Sequence, residues 1–238
     1  MNCKNCSTEI TQNFCPKCGQ PIQLKRIDGH YIVHEIEHVL HFEKGILFTI
    51  RELLIRPGES IRQFISENRS RLVKPIIFII VTSLIYTLIS HYFHIEDEYM
   101  KHEGFEKSTV GKILGWMQAN YGYMNIIMGI FIAMWLKLFF KKYGYNFFEL
   151  LIMLCFILGI TMLIFAFSSI IEGLFHFKLF FIAGMIGMVY SIWAIGNFFE
   201  NRKIKNYVKA LICYVLGIVT FYIIIFGIGI AVDLTLKL

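Results

Sequence analysis

Four cysteines open the chain as two CxxC pairs, Cys3 with Cys6 and Cys15 with Cys18, and Gly19 follows the second pair. Four thiolates in two such pairs match the tetrahedral set that zinc takes in structural sites, and the glycine permits a turn whose backbone amides point at sulfur. About twenty residues cannot bury a core of their own, so metal coordination must supply the folding free energy, on the order of 10–16 kcal/mol. A zinc with four thiolates has no open position for substrate, which makes it structural. A pair of disulfides is the competing use of the same residues, and it needs an oxidising compartment. The expectation is a zinc ribbon over residues 1–22, holding one zinc per chain.

A second constellation follows. His34-Glu35-Ile36-Glu37-His38 fits the HExxH pattern, in which two histidines one helical turn apart bind zinc and the intervening glutamate activates a bound water. His41 falls on the same face as a third ligand. Glu52 is an alternative, since His38 and Glu52 lie equally far in sequence from a break at Gly45, and a rise of about 1.5 Å per residue would bring them level if the chain reverses there. In that reading Glu35 is the general base of a membrane-bound, peptidase-like hydrolase with a second zinc. Against it stands the helix itself. His30, His34, His38 and His41 lie opposite Ile32, Val33, Ile36, Val39 and Leu40 at helical spacing, so the same histidines make the polar face of an amphipathic helix and titrate near neutral pH at a lipid surface. The sequence favours a non-enzymatic protein, with the hydrolase as the alternative.

The elements that would position these groups are set by apolarity. A hydrophobic content of 56% and a mean hydropathy of +0.60 exceed what a soluble domain of this length hides in a core, so a bilayer must solvate the excess. Five runs are long enough to cross about 30 Å of hydrocarbon as helices: Pro75 to Phe93, Tyr123 to Phe140, Phe147 to Ile171, Leu179 to Phe199 and Val208 to Val232. Runs without alternation exclude barrel strands. The expected fold is an all-α integral membrane protein of five transmembrane helices over residues 75–238. A zinc ribbon and cytoplasmic interfacial helices over residues 23–74 precede them: the histidine helix, then Ile46 to Arg56, then a turn at Pro57-Gly58 leading into a basic segment that ends at Lys74.

Basic residues near span ends stay cytoplasmic. With the amino terminus inside, eighteen of the 23 Lys and Arg fall on the cytoplasmic side, including Lys137, Lys141, Lys142, Arg202, Lys203, Lys205 and Lys209. The other side keeps Lys101, Lys107, Lys112, Lys178 and Lys237 beside the acidic loop of Glu96, Asp97, Glu98, Glu103 and Glu106. This places the chain in the cytoplasmic (inner) membrane with its carboxyl terminus outside. It also puts the cysteines in a reducing compartment, where zinc is favoured over disulfides. The net charge of +6 then reads as attraction to anionic headgroups rather than to nucleic acid. Within the spans Lys137, Glu149 and Glu172 sit near the ends, and the apolar centres argue against a proton-coupled transporter or a charge-selective channel. Cys155 and Cys213 lie inside spans as small packing residues.

The order of parts resembles a bacterial membrane family, the domain-of-unknown-function family 3667. The likeness rests on the cysteine pairs with Asn13-Phe14-Cys15-Pro16-x-Cys18-Gly19-Gln20, on Phe42-Glu43-Lys44-Gly45, on Thr49 with Leu53, on Arg56-Pro57-Gly58 and on Lys74-Pro75. By span count alone the membrane part also looks like a Yip-type domain. The resemblance implies a cytoplasmic zinc ribbon on a membrane domain and brings no catalytic residues with it. The expected function is a membrane scaffold that docks a protein through the ribbon, or anionic lipid along its basic collar.

Overall fold

A computed structural model describes residues 45–69, 71–93, 95, 109–175, 177–200 and 203–236, together with the isolated residues 9, 16 and 17. The chain divides into two compact units, Met1–Glu43 and Lys44–Leu238. Among the described residues of the second unit every element is helical: α1 (Ile46–Ile55), α2 (Pro57–Ser66), α3 (Pro75–Phe93), α4 (Thr109–Ala119), α5 (Tyr121–Phe139), a 3₁₀ turn (Lys141–Tyr143), α6 (Phe147–Phe175), α7 (Phe180–Glu200) and α8 (Ile204–Leu236).

Among the described residues four helices, α3, α6, α7 and α8, are long and apolar enough to cross a bilayer. They are the runs expected from composition, with α6 carried on to Phe175 and α8 lengthened at both ends. The run expected from Tyr123 to Phe140 is also an apolar helix, α5. The centre of the bundle is α6, whose membrane-length window is 67% buried against 17–39% in α3, α7 and α8. Its side chains Met153, Phe156, Ile157 and Ile160 meet residues of α1, α2, α3, α5, α7 and α8 in one core.

Side-chain pairings give each helix its direction. Along α3 and α6 the partners advance together: Phe78 against Phe156, then Tyr86 against Phe165, then Phe93 against Gly173. These two helices are parallel. Between α6 and α7 they run oppositely, Thr161 with Ser191 and then Phe165 with Phe180. The same holds between α5 and α6, where Asn125 meets Met162 and Gly129 faces Leu158.

Two sequence expectations are corrected. A turn was expected at Pro57-Gly58 before a basic segment; the break falls one residue earlier, at Arg56, and Pro57 is the first residue of a further helix, α2. The first turn of a helix leaves its N–H groups unpaired, so a residue without one, fixed near the helical φ, starts a helix at no cost. Residues 109–119 were expected as part of an outer loop and instead form α4, which turns at Asn120 into α5. Together α4 and α5 run antiparallel along α8, from Thr109 at Asp233, through Val110 at Gly229 and Phe131 at Phe221, to Phe140 beneath Lys209.

Candidate functional site

One cluster of polar groups in the second unit lies where α1 meets α2. Gly45 takes a φ of 69°, available to glycine without strain, and starts α1. α1 carries Thr49, Glu52 and Leu53 on its buried side. Leu53 enters the core, while Glu52 lies one residue before it and needs partners for its charge.

Four hydrogen bonds supply them. Arg56 lies one turn on and donates from Nε to Oε2 and from Nη2 to Oε1, both at 3.1 Å. Ser60 of α2 donates to Oε2 at 3.1 Å. Arg71, nineteen residues along the chain, closes the set from Nη2 at 2.8 Å. The other side of the Arg71 guanidinium donates to Gln63, which in turn donates to Glu59 at 3.2 Å. Burial pulls the Glu52 pKa up, but the hydrogen bonds from Arg56 and Ser60 and the charges of Arg56 and Arg71 outweigh it and hold the carboxyl below its usual value. Its hydrogen bond with Glu52 raises the pKa of Arg56 in turn.

A second set of contacts fixes this corner to α7. Arg62 of α2 donates from Nη1 to the Asn197 carbonyl at 2.6 Å and to the Phe198 carbonyl at 2.8 Å. Carbonyls in the last turn of a helix have no partner within it and carry the negative end of its dipole, so a guanidinium is their natural cap. Beside it Gly58 meets the α7 backbone so closely that a Cβ would lie 2.6 Å from the Phe198 nitrogen and closer still to Asn197. The Tyr190 hydroxyl of α7 donates to the Leu53 carbonyl in the last turn of α1 at 3.1 Å. Thr49 Oγ1 accepts from the Val73 amide at 3.1 Å, tying α1 to the entry of α3.

Chemically this is an anchor. Both Glu52 oxygens already accept hydrogen bonds, and a carboxylate held anionic by two guanidinium groups is a poor proton acceptor. A metal ion at Glu52 would have to displace Arg56 and Arg71. Cys3, Cys6, Cys15, Cys18, His34, Glu35, His38 and His41 lie outside the described residues. Among the described residues no group of three His, Cys, Asp or Glu side chains could hold a metal. Cys213 is buried in the core and Cys155 lies partly buried beside it, both as free thiols. Sequence reading took Arg56, Arg62 and Arg71 as topology charges and missed them as anchors. The i, i+4 spacing of Glu52 and Arg56 was the one signal available for this site.

Residues 43–87 match the family model described as "Protein of unknown function (DUF3667)". By this segment, and over this segment alone, the chain is similar to DUF3667. The segment holds the whole Glu52 cluster together with Thr49, Gly58, Arg62 and Val73, and extends into α3. The α7 groups that receive it, Tyr190, Asn197 and Phe198, lie beyond the match, as do the cysteine pairs. Comparison with curated proteins and with solved structures finds no match.

Proposed function

We propose that this chain is a non-enzymatic membrane scaffold. Its cytoplasmic amino-terminal zinc ribbon, held by Cys3, Cys6, Cys15 and Cys18, docks a partner protein, and the DUF3667 segment, which follows it in sequence, is fixed to the spans. The observation that carries the reading is the α1–α2 corner. A segment that merely linked two domains would not give a buried carboxylate two arginines and cap the end of α7 with a third. Those contacts suit a part that must hold still under load.

In this reading the membrane part has five crossings, and the parallel pairing of α3 and α6 supports the fifth. Consecutive spans alternate in direction, so two neighbours joined by a single crossing run antiparallel. For α3 and α6 to run parallel the chain must return between them, and α5, antiparallel to α6, is the helix that does so. The amino terminus is then cytoplasmic and the carboxyl terminus outside, by the distribution of Lys and Arg. Anionic headgroups meet the basic collar at the cytoplasmic face, where α1 and α2 lie at the interface.

Two measurements test it. Metal analysis of the purified chain gives one zinc, lost in Cys3→Ser and in Cys15→Ser and kept in His34→Ala. Two zincs, with one lost in His34→Ala, would transfer the case to the hydrolase. Affinity capture from detergent then compares the full chain with one lacking residues 1–22. The docking role fails if both retain the same proteins.

A further inference from the structure

We infer that a groove between α6 and α7 holds an acyl chain of one membrane phospholipid with an anionic headgroup, whose phosphate is met by Arg51 of α1. The groove encloses about 610 Å³, lined by Ile50 and Leu54 of α1, Ile164 and Phe167 of α6, and Ile182 and Ile186 of α7, among others. That volume is in the range of small-molecule sites, roughly 300–1,000 Å³. Along α6 the lining runs from Ile160 to Ile171, about 16 Å at helical rise, and among the described lining residues Ser168 is the one polar side chain. Phe167 and Ile182 are exposed, so the groove opens sideways along helices long and apolar enough to face lipid. The inference rests on the reading of α6 and α7 as spans.

Charge selects the occupant. Arg51 is adjacent to Ile50 and one helical turn from Leu54, so it stands beside the end of the groove that α1 closes. It is exposed and forms no ion pair among the described residues, in contrast to Arg56 and Arg71 on Glu52. Its neighbours Leu47, Leu54 and Ile55 are exposed apolar side chains. Near the other end Lys178, next to Leu179, already has a partner. A ligand suited to both features is apolar for some 16 Å and anionic at the Arg51 end. A second copy of this chain laying an aliphatic helix in the groove would press it against the Arg51 guanidinium, with a desolvation penalty that a phosphate avoids through charge-assisted hydrogen bonds.

The test is native mass spectrometry of the full chain purified in detergent, given phosphatidylglycerol or phosphatidylcholine with identical acyl chains. One phosphatidylglycerol per chain is expected to survive activation that strips phosphatidylcholine. Arg51→Ala should lower its retention about tenfold, to the phosphatidylcholine level, as the loss of one charge-assisted contact implies, and Arg51→Lys should keep the preference. Ile182→Trp, which fills the groove, should abolish retention of both lipids; Leu163→Trp replaces it should that variant fail to accumulate. Equal retention of the two lipids by the native chain overturns the assignment. So does undiminished phosphatidylglycerol in Arg51→Ala or in the tryptophan variant, or an Ile182→Cys crosslink between two copies. Alkaline carbonate extraction of each variant separates the premise from the inference, because release from the membrane would remove the spans themselves, whatever the lipid result.

Discussion

Glu52 is stabilising in one charge state only. Its carboxyl is held below the usual value of 4.5 because hydrogen bonds from Arg56 and Ser60 and the charges of Arg56 and Arg71 outweigh burial. A group depressed in the folded state contributes its full stability above the unfolded pKa and loses it as pH falls through the folded one. Thermal melts of the detergent-solubilised chain should therefore be level near neutral pH and fall only as acid descends below about 4.5. Glu52→Gln removes the charge but keeps the shape; it should cost about 1–3 kcal/mol at neutral pH, the worth of hydrogen bonds to a charged group, and flatten the acid limb. An unchanged acid limb in Glu52→Gln would assign that limb to another carboxylate. Gly58→Ala tests the same corner without charge. With main-chain atoms of α7 in the way, a methyl group has to push α2 off, and a loss of about 1–3 kcal/mol is expected, as in other overpacked contacts. A melt equal to the parent would show that α2 does not bear on α7.

At the level of elements, Asp233 near the end of α8 holds the first turn of α4, its two oxygens accepting from the Thr109 amide at 3.0 and 3.2 Å. An anion at a helix N-terminus satisfies an unpaired N–H and meets the positive end of the dipole. Asp233→Ala should therefore cost about 0.5–2 kcal/mol locally, read as faster hydrogen exchange over residues 109–119 with α6 unaffected. Equal exchange in variant and parent would mean that packing alone holds α4. This helix also marks where sequence reading stopped. The bounds of α3 were legible, Pro75 to Phe93, because proline opens the run and polar residues close it. α4 was hidden because Gly111, Lys112 and Gly115 dilute its apolar pattern, and what holds it, Gly229 and Asp233, lies far along the chain. The Glu52 site was half legible for the same reason. Arg56 is a helical neighbour, but Arg71 and the α7 carbonyls arrive only through tertiary structure.

For the whole molecule, parallel α3 and α6 make the number of crossings a matter of geometry, and single-cysteine labelling can count them. If α3, α5, α6, α7 and α8 all cross, Lys74, Lys142 and Lys203 share one face of the membrane, and Lys112 and Lys178 share the other. A four-crossing chain in which α5 does not span would leave α3 and α6 as consecutive crossings. Lys74 and Lys142 would then fall on opposite sides, and α3 and α6 would have to be antiparallel, against the order of Phe78, Tyr86 and Phe93 along α6. With a membrane-impermeant maleimide on intact cells, Lys112→Cys and Lys178→Cys should label at once. Lys74→Cys, Lys142→Cys and Lys203→Cys should label only after the membrane is opened. The parent, and a parent with Cys155→Ala because that thiol is only partly buried, serve as controls: with Cys213 buried, immediate labelling of the latter would come from the four amino-terminal cysteines. Silence in the parent until permeabilisation puts those thiols in the cytoplasm, where a zinc ribbon needs them reduced. Labelling of Lys142→Cys in intact cells alongside silence at Lys74→Cys would remove α5 from the membrane and with it the five-span architecture.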